Sequence, residues 1–170
     1  MNGDDGLKTN NKGFTLVELI VVIAVMGIIV GLAGLSVSSV TSAKAKRGSE
    51  SINMLISKCR LGCLSREGII SLEISIDGDG NVVGNYYENN SIESTATIPA
   101  HGVSITYTMK LGNKETPVAL EGHPLTLSFD RGTGAQTLQS DGSSCTAIVF
   151  DGGSINTIEL SPLTGNHKLV

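Results

Sequence analysis

Four oxygen-bearing side chains, Asp77, Asp79, Asn81 and Glu88, fall at positions one, three, five and twelve of a calcium-binding loop, the spacing at which carboxylates and amides surround a hard cation. The match is defective. Val82 stands at the sixth position, where such a loop turns on glycine, and residues of strand type rather than helix type flank it. A solvated hairpin turn is the better reading, and no metal or other cofactor is expected. Of the three cysteines, Cys59 and Cys63 lie one helical turn apart, poorly placed to bridge each other when a disulfide needs β-carbons about 3.5–4.5 Å apart. Two arrangements stand: a bridge from Cys145 to one of them, or three buried thiols. His101, His123 and His167 are scattered among loop residues. No nucleophile elbow, metalloprotease helix or phosphate-binding loop occurs, and no enzymatic activity is expected.

The remaining candidate is a lone carboxylate. After Glu18 the next charged residue is Lys44, so residues 19–43 form an uncharged run rich in Leu, Ile, Val and Ala. A bilayer core of about 30 Å takes about 20 helical residues, and a helix satisfies its own backbone groups in lipid. A charge at the edge of such a segment is costly and usually has a partner and a task. Thr15-x-x-Glu18 also fits a capping box, in which Glu18 merely closes the helix N-terminus. Both readings stand on the residues alone.

The string Lys12-Gly13-Phe14-Thr15-Leu16-Val17-Glu18-Leu19-Ile20-Val21-Val22-Ile23-Ala24 closely resembles the processing site of type IV prepilins and type II secretion pseudopilins. In that family a membrane peptidase cuts after the glycine, the new terminal residue is N-methylated, and the glutamate guides docking. The resemblance therefore implies cleavage between Gly13 and Phe14, N-methylation of Phe14, and an assembly role for Glu18. It also implies a prepilin peptidase, fellow pilins and a membrane assembly platform as partners. The chain departs from many pilins in having no proline along this helix, its first being Pro99.

Composition excludes other classes. The chain has 170 residues, 40% hydrophobic and 16% charged, with a net charge of −4, enough for one domain and an anchor. No basic stripe interleaved with aromatics appears, so nucleic-acid binding is not expected. The leader, residues 1–13, has no apolar core of its own, unlike a conventional secretory signal; the presumed cut precedes the apolar run, which stays in the mature chain. Lys8, Lys12 and the starting amine on one side balance Lys44, Lys46 and Arg47 on the other, so flanking charge leaves orientation a tie. The resemblance implies a cytoplasmic leader and an outward head, first in the cytoplasmic membrane and then in a cell-surface or periplasm-spanning filament.

These pieces must be positioned by a helix and a sheet. Gly27 and Gly31, with Ala24 and Gly34, share a face on which another helix can approach closely. Ile52, Leu55, Ile56, Cys59 and Cys63 recur at helical spacing, and Gly68 is the expected C-cap. Helix is thus expected from about Thr15 to Arg66, with Gly48 and Gly62 as its weak points. Period-two alternation then marks strands at residues 70–76, 81–87, 103–111, 125–129, 145–150 and 154–160, with a short return at 136–138. Residues 88–97 read as a surface loop. The end of the chain, Ile158-Glu159-Leu160-Ser161-Pro162-Leu163-Thr164-Gly165, is loosely similar to the ending of many minor pilins and pseudopilins.

The expected fold is α+β: a long N-terminal helix packed by its second half on one antiparallel sheet. Its divisions are a leader at 1–13, a membrane or filament-core helix at 14–40, an amphipathic continuation at 41–68 and a sheet head at 69–170. The function expected is a structural subunit, minor by its ending, of a type IV pilus or type II secretion filament. The alternatives are a membrane-anchored ligand-binding or sensor domain, which would keep its leader, and a tethered enzyme, which would show a convergent polar cleft.

Overall fold

The computed structural model describes residues 15–170, except for the side chains at positions 32–38. One helix, α1 (Leu16–Ser65), precedes nine strands: β1 (Ile70–Ile76), β2 (Val82–Glu88), β3 (Ser91–Ile98), β4 (Ser104–Leu111), β5 (Lys114–Ala119), β6 (Leu125–Leu127), β7 (Ser144–Asp151), β8 (Ile155–Leu160) and β9 (His167–Leu169). The chain divides into a unit ending at Val37 and a second, Ser38–Val170. The fold is α+β with antiparallel sheets.

Where one sheet is expected there are two. β3-β2-β1-β6 make a four-stranded sheet and β5-β4-β7-β8-β9 a five-stranded one. In the first, β1 runs antiparallel to β2 from Ile70↔Glu88 to Ile76↔Val82, and β6 returns to the other edge of β1 through Leu72↔Leu127. In the second, β7 sits between β4 and β8, with Tyr107↔Ile148 and Ile148↔Ile158 in register.

Three strands, β3, β5 and the short β9 beyond the last expected strand, depart from the sequence reading. Residues 88–97, expected as a surface loop, contain β3, joined to β2 by a two-residue turn in which Asn89 and Asn90 have φ of 52° and 64°. Two positive φ angles give the primed turn whose twist matches a hairpin. β5 was not anticipated at all, and residues 136–138 contribute only an isolated Phe129↔Gln136 bridge.

From Ser38 onward α1 lies across both sheets. Ala45, Ile52, Ile56, Cys59 and Cys63 are buried, as are Ile70, Leu72, Ile74, Val82 and Tyr86 of the first sheet and Ile105, Tyr107, Ile148, Phe150 and Ile158 of the second. Leu55, expected inside, is only partly buried at the margin, against Gly84 of β2. Gly62 does not weaken the helix so much as admit the sheet: a β-carbon there would collide with the Tyr86 hydroxyl. Gly152 works likewise at the other end, where a β-carbon would strike the Thr41 carbonyl, while Ser42 donates to Gly152 O at 3.0 Å.

Candidate functional site

Gly13 and Phe14, the expected processing junction, lie outside the described residues. The description begins at Thr15, and there the capping box is formed. The Thr15 main-chain N–H donates to Glu18 Oε2 at 2.9 Å and its hydroxyl to the same oxygen at 3.0 Å, while the Glu18 N–H donates to Thr15 Oγ1 at 3.3 Å. Thr15 precedes the first helical residue, so Glu18 sits three residues into the helix, where its charge also complements the positive end of the helix dipole. Both bonds to the carboxylate use Oε2.

Behind this cap the helix is apolar on every side. Twelve large hydrophobic side chains between Leu16 and Val30 are exposed, at 48–74% of their full area. Removing the exposed half of each from water is worth on the order of 1 kcal/mol, so together they represent about 10 kcal/mol, comparable with the stability of a whole domain. A helix hydrophobic all round is built for lipid or a protein core. At Gly27 and Gly31 an added β-carbon would meet nothing within 4 Å among the described atoms, so this small-residue face is open to a neighbour. Among the described residues no helical stretch is long and apolar enough to cross a membrane; the uncharged run read from sequence continues through positions 32–38, whose side chains are not among them.

The four oxygen-bearing residues of the calcium pattern are not gathered at one point. Asp77 accepts from the N–H groups of Asp79 and Asn81 and from the Asn81 side chain, at 2.8–3.1 Å, and so organises the β1–β2 turn. Glu88 lies at the far end of β2, where it meets Arg66 at 2.8 Å. Among the described residues no cluster of three or more His, Cys, Asp or Glu side chains is arranged to hold a metal ion.

The three cysteines are free and buried. Cys59 and Cys63 donate to the carbonyls of Leu127 and Ile70, at 3.7 and 3.5 Å. Burial pushes the Cys145 thiol up to about 12, and it stays protonated at neutral pH. His167 meets Ser57 of α1 at 2.7 Å, tying β9 to the helix, and His123 turns back on Glu121 O.

Lys44 and Arg47 count in the sequence only as charges flanking the apolar run. In the structure they line a cavity with Ser51, Thr97, Ile98 and Pro99. The signal for this was present in the i, i+3, i+7 spacing of Lys44, Arg47 and Ser51, which puts them on one helix face.

Fold and site together define a protein with a capped, all-apolar helix ahead of a two-sheet α+β head. Residues 8–34 match the family model described as the prokaryotic N-terminal methylation motif. The chain thus carries the N-terminal signal of type IV pilins and pseudopilins. No curated protein and no solved structure matches it.

Proposed function

We propose that this chain is a structural subunit, a minor pilin or pseudopilin, of a type IV pilus or type II secretion-like filament. A prepilin peptidase cuts between Gly13 and Phe14, and Phe14 becomes the N-methylated terminus. The subunit waits in the cytoplasmic membrane with its head outside. It then enters a filament in which the apolar helices pack together and Glu18 receives the terminal amine of a neighbour. The observation that carries this reading is a helix exposed and apolar on all faces within the residues that match the methylation motif. An ordinary anchor needs the apolar residues but has no use for a cleavage junction placed before them. The reading assigns the chain no catalytic task.

Intact mass and N-terminal sequencing of the protein from cells that possess the peptidase test this directly. The expected mature chain begins at Phe14 and carries one added methyl group. A mature chain that retains residues 1–13 overturns the reading in favour of an anchored binding or sensor domain.

A further inference from the structure

The cavity lined by Lys44, Arg47, Ser51, Thr97, Ile98 and Pro99 has a volume of about 330 Å³ and lies wholly within the second unit. We propose that it is a binding site for the phosphate headgroup of an anionic phospholipid. Two cations and two hydroxyls line it and no carboxylate does. Among the described residues neither Lys44 nor Arg47 has a carboxylate within 4.0 Å; the ion pairs of the head lie elsewhere. Lys44 Nζ donates to His101 O at 3.3 Å, a bond that leaves its charge uncompensated. An ammonium, a guanidinium and hydroxyl donors are the groups that hold a phosphate. The overall charge of −4 gives no general attraction for anions, so what affinity there is belongs to this patch.

The place of the patch in the chain selects a lipid over a free anion. This step rests on the membrane reading proposed above. Lys44 is the first charged residue after the 25-residue uncharged run 19–43, and as helix that run rises about 37 Å. The hydrocarbon core takes about 30 Å and the bilayer with its headgroups about 40–45 Å. With Glu18 at one boundary, the next charges in the chain fall in the opposite headgroup layer. Where that layer contains anionic lipid, basic residues are drawn to it, and Ile98 and Pro99 give the cavity an apolar side for the glycerol and upper acyl chain.

The test uses the full chain in nanodiscs of phosphatidylcholine alone and of phosphatidylcholine with phosphatidylglycerol, reading amide hydrogen exchange in residues 44–51 and 97–101. Phosphatidylglycerol is expected to slow exchange there by about thirtyfold, the attraction of two basic residues. The Lys44→Gln/Arg47→Gln variant should lose the effect while keeping its melting temperature. Lys44→Arg should keep it, and so should Lys46→Gln, which removes a charge outside the cavity. Exchange indifferent to phosphatidylglycerol, or a Lys46→Gln loss as large as that of the double variant, overturns the site. Equal slowing of the detergent-solubilised chain by inorganic phosphate overturns its assignment to lipid. A chain that enters neither nanodisc overturns the membrane reading itself, an outcome distinct from insertion without headgroup dependence.

Discussion

At Glu18 one carboxylate closes a helix and carries a charge, and glutamine separates the two duties. A capping box accepts Glu or Gln at its third helical position, so Glu18→Gln keeps the side-chain bond with the Thr15 N–H and deletes the charge, whereas Glu18→Ala deletes both and retains only the main-chain N–H bond to the Thr15 hydroxyl. If Glu18 receives a neighbour's amine, both variants should be processed and both should be depleted from sheared filaments when co-expressed with wild type. Incorporation of Glu18→Gln at the wild-type level would leave capping as the whole role. Three other carboxylates, Asp77, Asp130 and Asp141, serve turns. The Asn81 amides hold the Asp77 carboxyl below its usual range, the Thr133 hydroxyl and amide do so for Asp130, and the Ser143 hydroxyl and amide for Asp141. A carboxyl depressed in the folded state stabilises above its unfolded value of about 3.9 and loses that contribution as pH falls through the folded value. The melting temperature of the head should therefore be flat from neutrality to about pH 5 and decline below about pH 4. Asp77→Asn should make the decline shallower, measured by circular dichroism across that range.

Among the elements, the second half of α1 bears most directly on stability, and the structure separates neighbours that the sequence groups together. Ile56 is fully buried and Leu55 sits partly buried against Gly84. Ile56→Ala should cost about 2–5 kcal/mol, and Leu55→Ala about half of that because part of its surface never leaves water. Denaturant unfolding of the two variants checks the order. The helix and the strands with clean alternation were legible because each states its period locally: 70, 72, 74 and 76 are all isoleucine or leucine. β3 was not, since the residues it turns inward, Ser94 and Ala96 before Ile98, pair with Tyr86, Gly84 and Val82 and offer little apolar contrast. Its turn residues Asn89-Asn90 were the available signal. β5 hid for another reason. As an edge strand it carries Lys114, Glu115 and Pro117, the residues that guard an edge from pairing with strangers, and only Gly112-Asn113 before it announced a hairpin. Division into two sheets was illegible because pairing of β6 with β1 and of β7 with β4 is decided by packing across long stretches of chain, which alternation within a strand does not encode. At the candidate site the cap was readable as Thr15-x-x-Glu18, whereas the cavity at Lys44 and Arg47 needs Thr97 and Pro99, about 50 residues away.

At the scale of the whole molecule, the buried core draws on nothing before Ala45 among the described residues, so the head's stability resides in residues that follow the apolar run. The place to cut is nonetheless set by contacts outside the core. Ser42 donates to Gly152 O, and Thr41 packs its main chain on Gly152 and its methyl near Gly102, so the turn of α1 ahead of Ala45 pins the β7–β8 and β3–β4 connections. A chain beginning at Ser38 keeps these contacts and one beginning at Lys44 loses them. The lost hydrogen bond alone is worth about 0.5–1.5 kcal/mol, which for a domain of this size corresponds to a fall in melting temperature of about 2–5 °C. The Ser38 form should be soluble without detergent and melt with the full chain in detergent, and the Lys44 form should melt lower by that margin. A Ser42→Ala substitution in the Ser38 form should lower its melting temperature by part of that margin, isolating the hydroxyl from the rest of the turn. Equal melting of the Ser38 and Lys44 forms would mean that the turn is held by the head without supporting it, and that the structural boundary of the head lies at Lys44.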